Sequence, residues 1–219
     1  MAYGDRHDRL ERRPAVHLRL LNQPIQIIGF QAAQPLRQHA TQTARDKRTE
    51  ASRELLRDYV LVLANSGIRT GEANKLKVTD VHSFVDDKQR NNYRLVVRGK
   101  TGERDAIVRS VAAKRLDKYL TKRRADEPGG LLFIMTDGSP IITLIDQLTS
   151  ALKEACIERN SFGEKYSVYS LRHFYAVNAL RSGFGVFEVA RNMGTSIQMI
   201  QEYYGKQATP AVFATRLGD

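Results

Sequence analysis

The sequence predicts a mainly α-helical domain that carries a small three-stranded antiparallel β-sheet. Two patterns lead to that expectation. Apolar residues recur at the helical period of 3.6 from residue 50 to Ala64 and again from Ser110 onward, whereas residues 81–109 break into short apolar runs parted by polar turns. A third observation bears on what the domain meets: 35 Lys and Arg against 24 Asp and Glu leave a formal charge of +11. Such an excess attracts polyanions, nucleic acid above all.

The elements follow in order. Residues 1–48, interrupted by Pro14, Pro24 and Pro35, read as an irregular or partly helical arm, and residues 49–219 as the main domain. From Glu50, the residues Leu55, Leu56, Tyr59, Val60, Leu63 and Ala64 form one helical stripe that stops at Asn65-Ser66-Gly67. A short helix is expected from Thr70 through Glu72 to Leu76. Val81–Val85, Tyr93–Val97 and Ala106–Val108 read as strands, with turns at Asp86–Asn92 and Gly99–Gly102. A helix over Ser110–Arg124 presents Val111, Leu116, Tyr119 and Leu120. After it come a short strand at Leu131–Met135, a turn at Asp137-Gly138 and a helix over Thr143–Arg159. Three further helices are expected: Ser170–Arg181, Val186–Met193 closed by Gly194, and Ile197–Tyr204, where Thr195 and Gln198 have capping-box spacing.

Composition removes several classes of function. Cys156 is the only cysteine, so an intrachain disulfide and a Cys-based zinc site are both excluded, and a helical, core position is expected for it. No apolar run approaches the ~18 residues that span a bilayer, and the opening MAYGDRHDRLERR has no apolar core of a signal peptide. A cytoplasmic setting follows, with no membrane partner.

Four clusters can carry chemistry. In Tyr169-Ser170-Leu171-Arg172-His173, a cap at Ser170 puts Tyr169, Arg172 and His173 at a helix start, where amides and a guanidinium can meet one phosphate. In Gly67-Ile68-Arg69-Thr70-Gly71-Glu72, Glu72 lies three residues from Arg69 and can hold it in orientation. Lys100 sits at a hairpin tip. Tyr203 and Tyr204 lie adjacent on the last helix, about 100° apart, so only one faces a given site.

Taken in order and spacing, these clusters resemble the tyrosine recombinase and phage integrase family over roughly residues 50–210. Gly67–Glu72 is similar to its Gly-x-Arg-x-x-Glu box, Arg98–Gly102 to its hairpin lysine, and Tyr169–His173 to its His-x-x-Arg-His box. Gly194-Thr195 falls on its Gly-His pair, Tyr204 lies nine residues beyond at the place of the nucleophile, and LLFIMTDGSPI matches the intervening segment. Two positions depart from the family: Tyr169 and Thr195 stand where imidazoles are usual.

The resemblance implies a catalytic domain of that fold and a site-specific DNA recombinase or integrase acting through a 3′-phosphotyrosine. It implies Arg69 and Arg172 as the phosphate clamp, Lys100 as acid for the leaving 5′-oxygen, and Tyr204 as nucleophile. Tyr169 and Thr195 would hydrogen-bond the phosphate, Glu72 would support Arg69, and His173 would stand behind the site or substitute for the missing base. No metal or cofactor is implied. The implied partners are double-stranded DNA, a homotetramer assembled on it, and a DNA-bending accessory protein, with the protein on the nucleoid when engaged. Relatives carry an N-terminal clamp of about a hundred residues; only some fifty precede the pattern here, so a reduced or missing clamp is expected. Type IB topoisomerase chemistry and a DNA-binding remnant without catalysis are the alternatives.

Overall fold

The computed structural model describes residues 47–99, 102–160 and 163–204. The expected arm falls outside the described residues but for its last two, and Lys100 falls outside them as well. The first helix, α1 (Lys47–Ser66), buries Leu55, Leu56, Tyr59, Leu63 and Ala64 of the expected stripe, with Val62 in the core in place of Val60, which is only partly buried. It ends because Gly67 turns left-handed, with φ +66°, while its N–H still bonds Leu63 O at 3.0 Å. A side chain there fails on space too, since its Cβ would lie 2.3 Å from Cδ1 of Tyr175.

Arg69 then caps α2 (Thr70–Ala73), which is shorter than expected: after Ala73 the chain turns so that Leu76 can enter the core. A single 3₁₀ turn, Val78–Asp80, leads into β1 (Val81–Val85), β2 (Asn91–Gly99) and β3 (Gly102–Val108). The sheet has order β1-β2-β3, wholly antiparallel, with Val81 opposite Leu95, Leu95 opposite Ala106 and Val97 opposite Arg104. Period two buries Tyr93, Leu95 and Val97 on β2 and Ala106 and Val108 on β3. It also puts Arg104 on that same inner face.

The next helix departs from its expected start. Ser110–Ala112 form a 3₁₀ turn, and α3 runs Ala113–Asp126, so Val111 is not part of the apolar stripe and stands 73% exposed. Leu116 and Leu120 are buried as expected. Leu131–Met135 is not a strand. Leu132 and Phe133 are both fully buried, which an alternating strand with one open face does not allow, and the segment holds to the chain through isolated bridges. Its purpose is packing: the Phe133 ring sits 5.1 Å from Tyr59 and 5.4 Å from Tyr119.

Helix α4 (Ile145–Glu154) stops five residues before Arg159. Cys156 takes φ +56° and the Ile157 N–H reaches back to Leu152 O at 2.9 Å, which closes the helix. Cys156 is therefore an exposed cap residue, not a core one. Three helices complete the described chain: α5 (Val168–Arg181), α6 (Val186–Met193) and α7 (Ile197–Tyr204). α5 packs along α1, and its other side joins α6 and α7 in a smaller core of Tyr175, Ala179, Val189, Met193, Ile200 and Tyr204. No helix among the described residues is long and apolar enough to cross a membrane.

Candidate active site

The site forms where the α1–α2 corner, the base of the β2–β3 hairpin, α5 and the α6–α7 turn meet. Two of these elements begin differently from expectation. The cap of α5 is Ser167, whose N–H donates to Ser170 Oγ at 3.1 Å. Only Tyr169 then lies in the first turn, and Arg172 and His173 lie in the second. The cap of α7 is Ser196, whose Oγ accepts the Met199 N–H at 3.1 Å, and not Thr195. Thr195 instead donates its backbone N–H to Ala190 O at 3.0 Å, the bond that seals the end of α6.

At the corner, Glu72 is the organiser. Its side chain is only 5% exposed, and it accepts the Arg69 backbone N–H at 2.8 Å and Arg69 Nη1 at 3.0 Å. Arg104, from β3, adds a fork: Nη1 and Nη2 reach the two carboxylate oxygens at 2.9 Å each. Burial pushes the Glu72 pKa up, but the hydrogen bonds from Arg104 and Arg69 outweigh it and leave the carboxyl below its ordinary value. The hairpin approaches closely at this point, since a Cβ on Gly99 would come within 2.8 Å of Glu72 Oε1.

Both candidate clamp arginines reach the turn after α6. Arg69 Nη2 donates to Gly194 O at 2.7 Å, and Arg172 Nη1 donates to Met193 O at 2.8 Å and to Gly67 O. Arg104 Nη2 also donates to Met193 O, at 3.0 Å. Three guanidinium groups thus converge on two consecutive carbonyls. Arg172 is 4% exposed, and burial, with the charge of Arg69 beside it, draws its pKa down. Gly194 is required at this crowded point: it takes φ +65°, and a Cβ would lie 2.4 Å from Arg104 Nε.

Tyr204 lies within reach of this group. It is 5% exposed, and its hydroxyl is hydrogen-bonded to His173 Nδ1. Burial and the neighbouring Tyr169 push its pKa well up, partly opposed by the positive charge of Arg172. Tyr169 is more exposed and sets its ring edge-on to His173, with centroids 4.8 Å apart. Tyr203, one residue earlier, is only partly buried and packs against the smaller core.

Seven of the eight residues singled out from the sequence therefore assemble: Arg69, Glu72, Tyr169, Arg172, His173, Thr195 and Tyr204. The eighth, Lys100, lies outside the described residues. Two participants were missed. Arg104 carried a signal, since an arginine two residues before Ala106 and four before Val108 falls on the buried face of β3. Asn192 carried none; it accepts the Ile107 N–H at 2.7 Å and donates to Ser66 O at 2.8 Å and Tyr175 Oη at 2.7 Å, tying α6 to three other elements. Among the described residues no group of His, Cys, Asp or Glu is arranged to hold a metal ion.

The fold is shared with solved recombinases. The XerH site-specific recombinase, in a post-cleavage complex with a palindromic difH substrate, matches with a TM-score of 0.62 at 19% identity, over 85% of this chain and 51% of that one. The XerA recombinase matches with a TM-score of 0.57 at 24% identity, over 85% and 63% respectively. In sequence, the TnP I resolvase of Bacillus thuringiensis is 26% identical over 145 residues, which is 64% of this chain and 46% of that protein. The chain thus spans about half the length of the resolvase and of XerH. Residues 34–209 match the family model of the phage integrases, and the chain belongs to the phage integrase family.

Proposed function

We propose that this chain is the catalytic part of a site-specific recombinase or integrase of a phage or other mobile element. It cuts and rejoins double-stranded DNA through a 3′-phosphotyrosine on Tyr204. One observation carries the reading: Arg69 and Arg172 meet on the turn that follows α6, and Tyr204, 135 residues beyond Arg69, lies close enough to Arg172 to feel its charge.

The chemistry fits those residue types. A phosphodiester resists attack because it is negatively charged, and two guanidinium groups on its non-bridging oxygens lower that barrier. Arg69 and Arg172 lie close enough for the charge of one to depress the pKa of the other. A bound phosphate relieves that repulsion, so the pair suits an anion. Glu72, braced by Arg104, fixes Arg69 from behind. In the reaction the Tyr204 oxygen bonds to phosphorus, the bond from phosphorus to the 5′-oxygen breaks, and Lys100 gives that oxygen its proton. Tyr169 and Thr195, neither a strong base near neutral pH, would hydrogen-bond the phosphate. Rejoining reverses the steps, so no external energy source is needed.

The reaction requires double-stranded DNA, and the likeness to recombinases adds a tetramer that brings two segments together and an accessory protein that bends DNA. The resolved complexes of XerH with difH support the first of these. Nicked DNA from the ends of the parent element tests the reading. Wild type should cleave it, and Arg172→Ala should bind it but cleave about 10³-fold more slowly. Cleavage by Arg172→Ala at the wild-type rate would remove the clamp.

A further inference from the structure

We infer that His173 is the base that takes the proton of Tyr204 as that tyrosine attacks, replacing the imidazole that position 169 lacks. The inference rests on the strand-cleavage reading above and deepens it. The usual histidine of the His-x-x-Arg box is Tyr169 here, and a neutral phenol is no base for another phenol. Four residues on, the same face of α5 supplies an imidazole. His173 Nδ1 is hydrogen-bonded to the Tyr204 hydroxyl itself, the reacting atom. With the ring neutral and its proton on Nε2, Nδ1 is the acceptor and the hydroxyl the donor.

The surroundings hold the proton on Tyr204 at rest, so the oxygen needs a base beside it as it attacks. Tyr204 is buried in an apolar cluster, which penalises its phenolate, and the positive charge of Arg172 offsets only part of that penalty. Proton transfer to His173 creates an imidazolium at hydrogen-bonding distance from the forming P–O bond. The Tyr169 ring packs edge-on against the imidazole and limits its rotation. Among the described residues, other titratable groups stand around the pair. On α5 these are Tyr169 and Arg172, and on α7 Tyr203 and the exposed Glu202. On α6, Glu188 accepts the Gly185 N–H and Arg191 is exposed. Arg69 reaches the Gly194 carbonyl before α7. None of these is a base for the tyrosine at neutral pH: the arginines stay protonated, the phenols are too weakly acidic to help, and the two glutamates lie at the surface.

The step balances. The Tyr204 oxygen forms its bond to phosphorus, its proton passes to His173 Nδ1, and the departing 5′-oxygen is protonated by Lys100. On rejoining, the imidazolium returns the proton to Tyr204.

Single-turnover cleavage of nicked DNA across pH 5.5–8.5 tests this. The wild-type rate should rise with pH as the imidazole loses its proton, and then level off. His173→Gln, which keeps a hydrogen-bonding side chain, should bind DNA normally and cleave about 10²-fold more slowly, with that rise abolished. His173→Gly should recover rate on addition of free imidazole, in proportion to its neutral form, and Tyr204→Phe should not. A His173→Gln rate and pH profile like wild type would overturn the inference while leaving tyrosine cleavage intact. Absence of any wild-type adduct would overturn both.

Discussion

Glu72 shows how a single buried carboxylate can order two arginines at the proposed phosphate site. Its two oxygens hold Arg69 and Arg104 at 2.9–3.0 Å, and those arginines in turn grip the carbonyls of the turn before α7. Because the folded pKa lies below the unfolded value of about 4.5, folding favours the charged form. The stabilisation is complete above pH 4.5 and disappears as pH falls through the folded value. Glu72→Gln should therefore be about 2–3 kcal/mol less stable than wild type at pH 7, with the gap narrowing below pH 4.5 in urea denaturation. Arg104→Ala should cost about 3 kcal/mol, since it strands a buried carboxylate on one partner, and should lower cleavage at saturating DNA. These residues were unequally visible in the sequence. Spacing alone tied Arg69 to Glu72. Arg104 shared its strand face with Ala106 and Val108 but looked like one more basic residue in a basic stretch. Asn192 acts through contacts 85 and 126 residues away, which no local pattern encodes.

Among the elements, those set by local chemistry were legible and those set by packing were not. β1, α6 and α7 coincide with the expected stretches, β1 because a polar turn follows it and α6 because Gly194 closes it, while α7 keeps its bounds although its cap is Ser196 and not Thr195. Leu131–Met135 has strand composition yet pairs with no sheet, since the room between α1 and α3 needs both Leu132 and Phe133. α4 ends early at Cys156, whose left-handed backbone no residue preference announces. The turn joining α6 to α7 is the element on which the site depends most. Gly194→Ala there meets both a left-handed φ and the Arg104 guanidinium, and should cost about 2–3 kcal/mol in chemical denaturation. Ser196→Ala, which removes only the cap of α7, should cost about 1 kcal/mol.

For the whole molecule, the basic excess and the clamp describe different parts of binding. On the proposed reading, the charge of +11 would draw in any duplex, while Arg69 and Arg172 would act on one phosphate. Affinity for DNA should therefore fall steeply with salt, with a log–log slope of about −5 or steeper between 50 and 200 mM, as expected when six or more phosphates are neutralised. Fluorescence anisotropy would read it, and a flat dependence would contradict a phosphate-tracking surface. Replacing Arg172 alone should leave most of that slope in place. The central claim is that strand cleavage passes through Tyr204. The most direct measurement is to trap the protein on nicked DNA, digest the complex with protease and locate the nucleotide by mass spectrometry. The result expected is a nucleotide on the peptide fragment ion that contains Tyr204, absent from Tyr204→Phe. A nucleotide on Tyr203, or an equal yield from Tyr204→Phe, would contradict it.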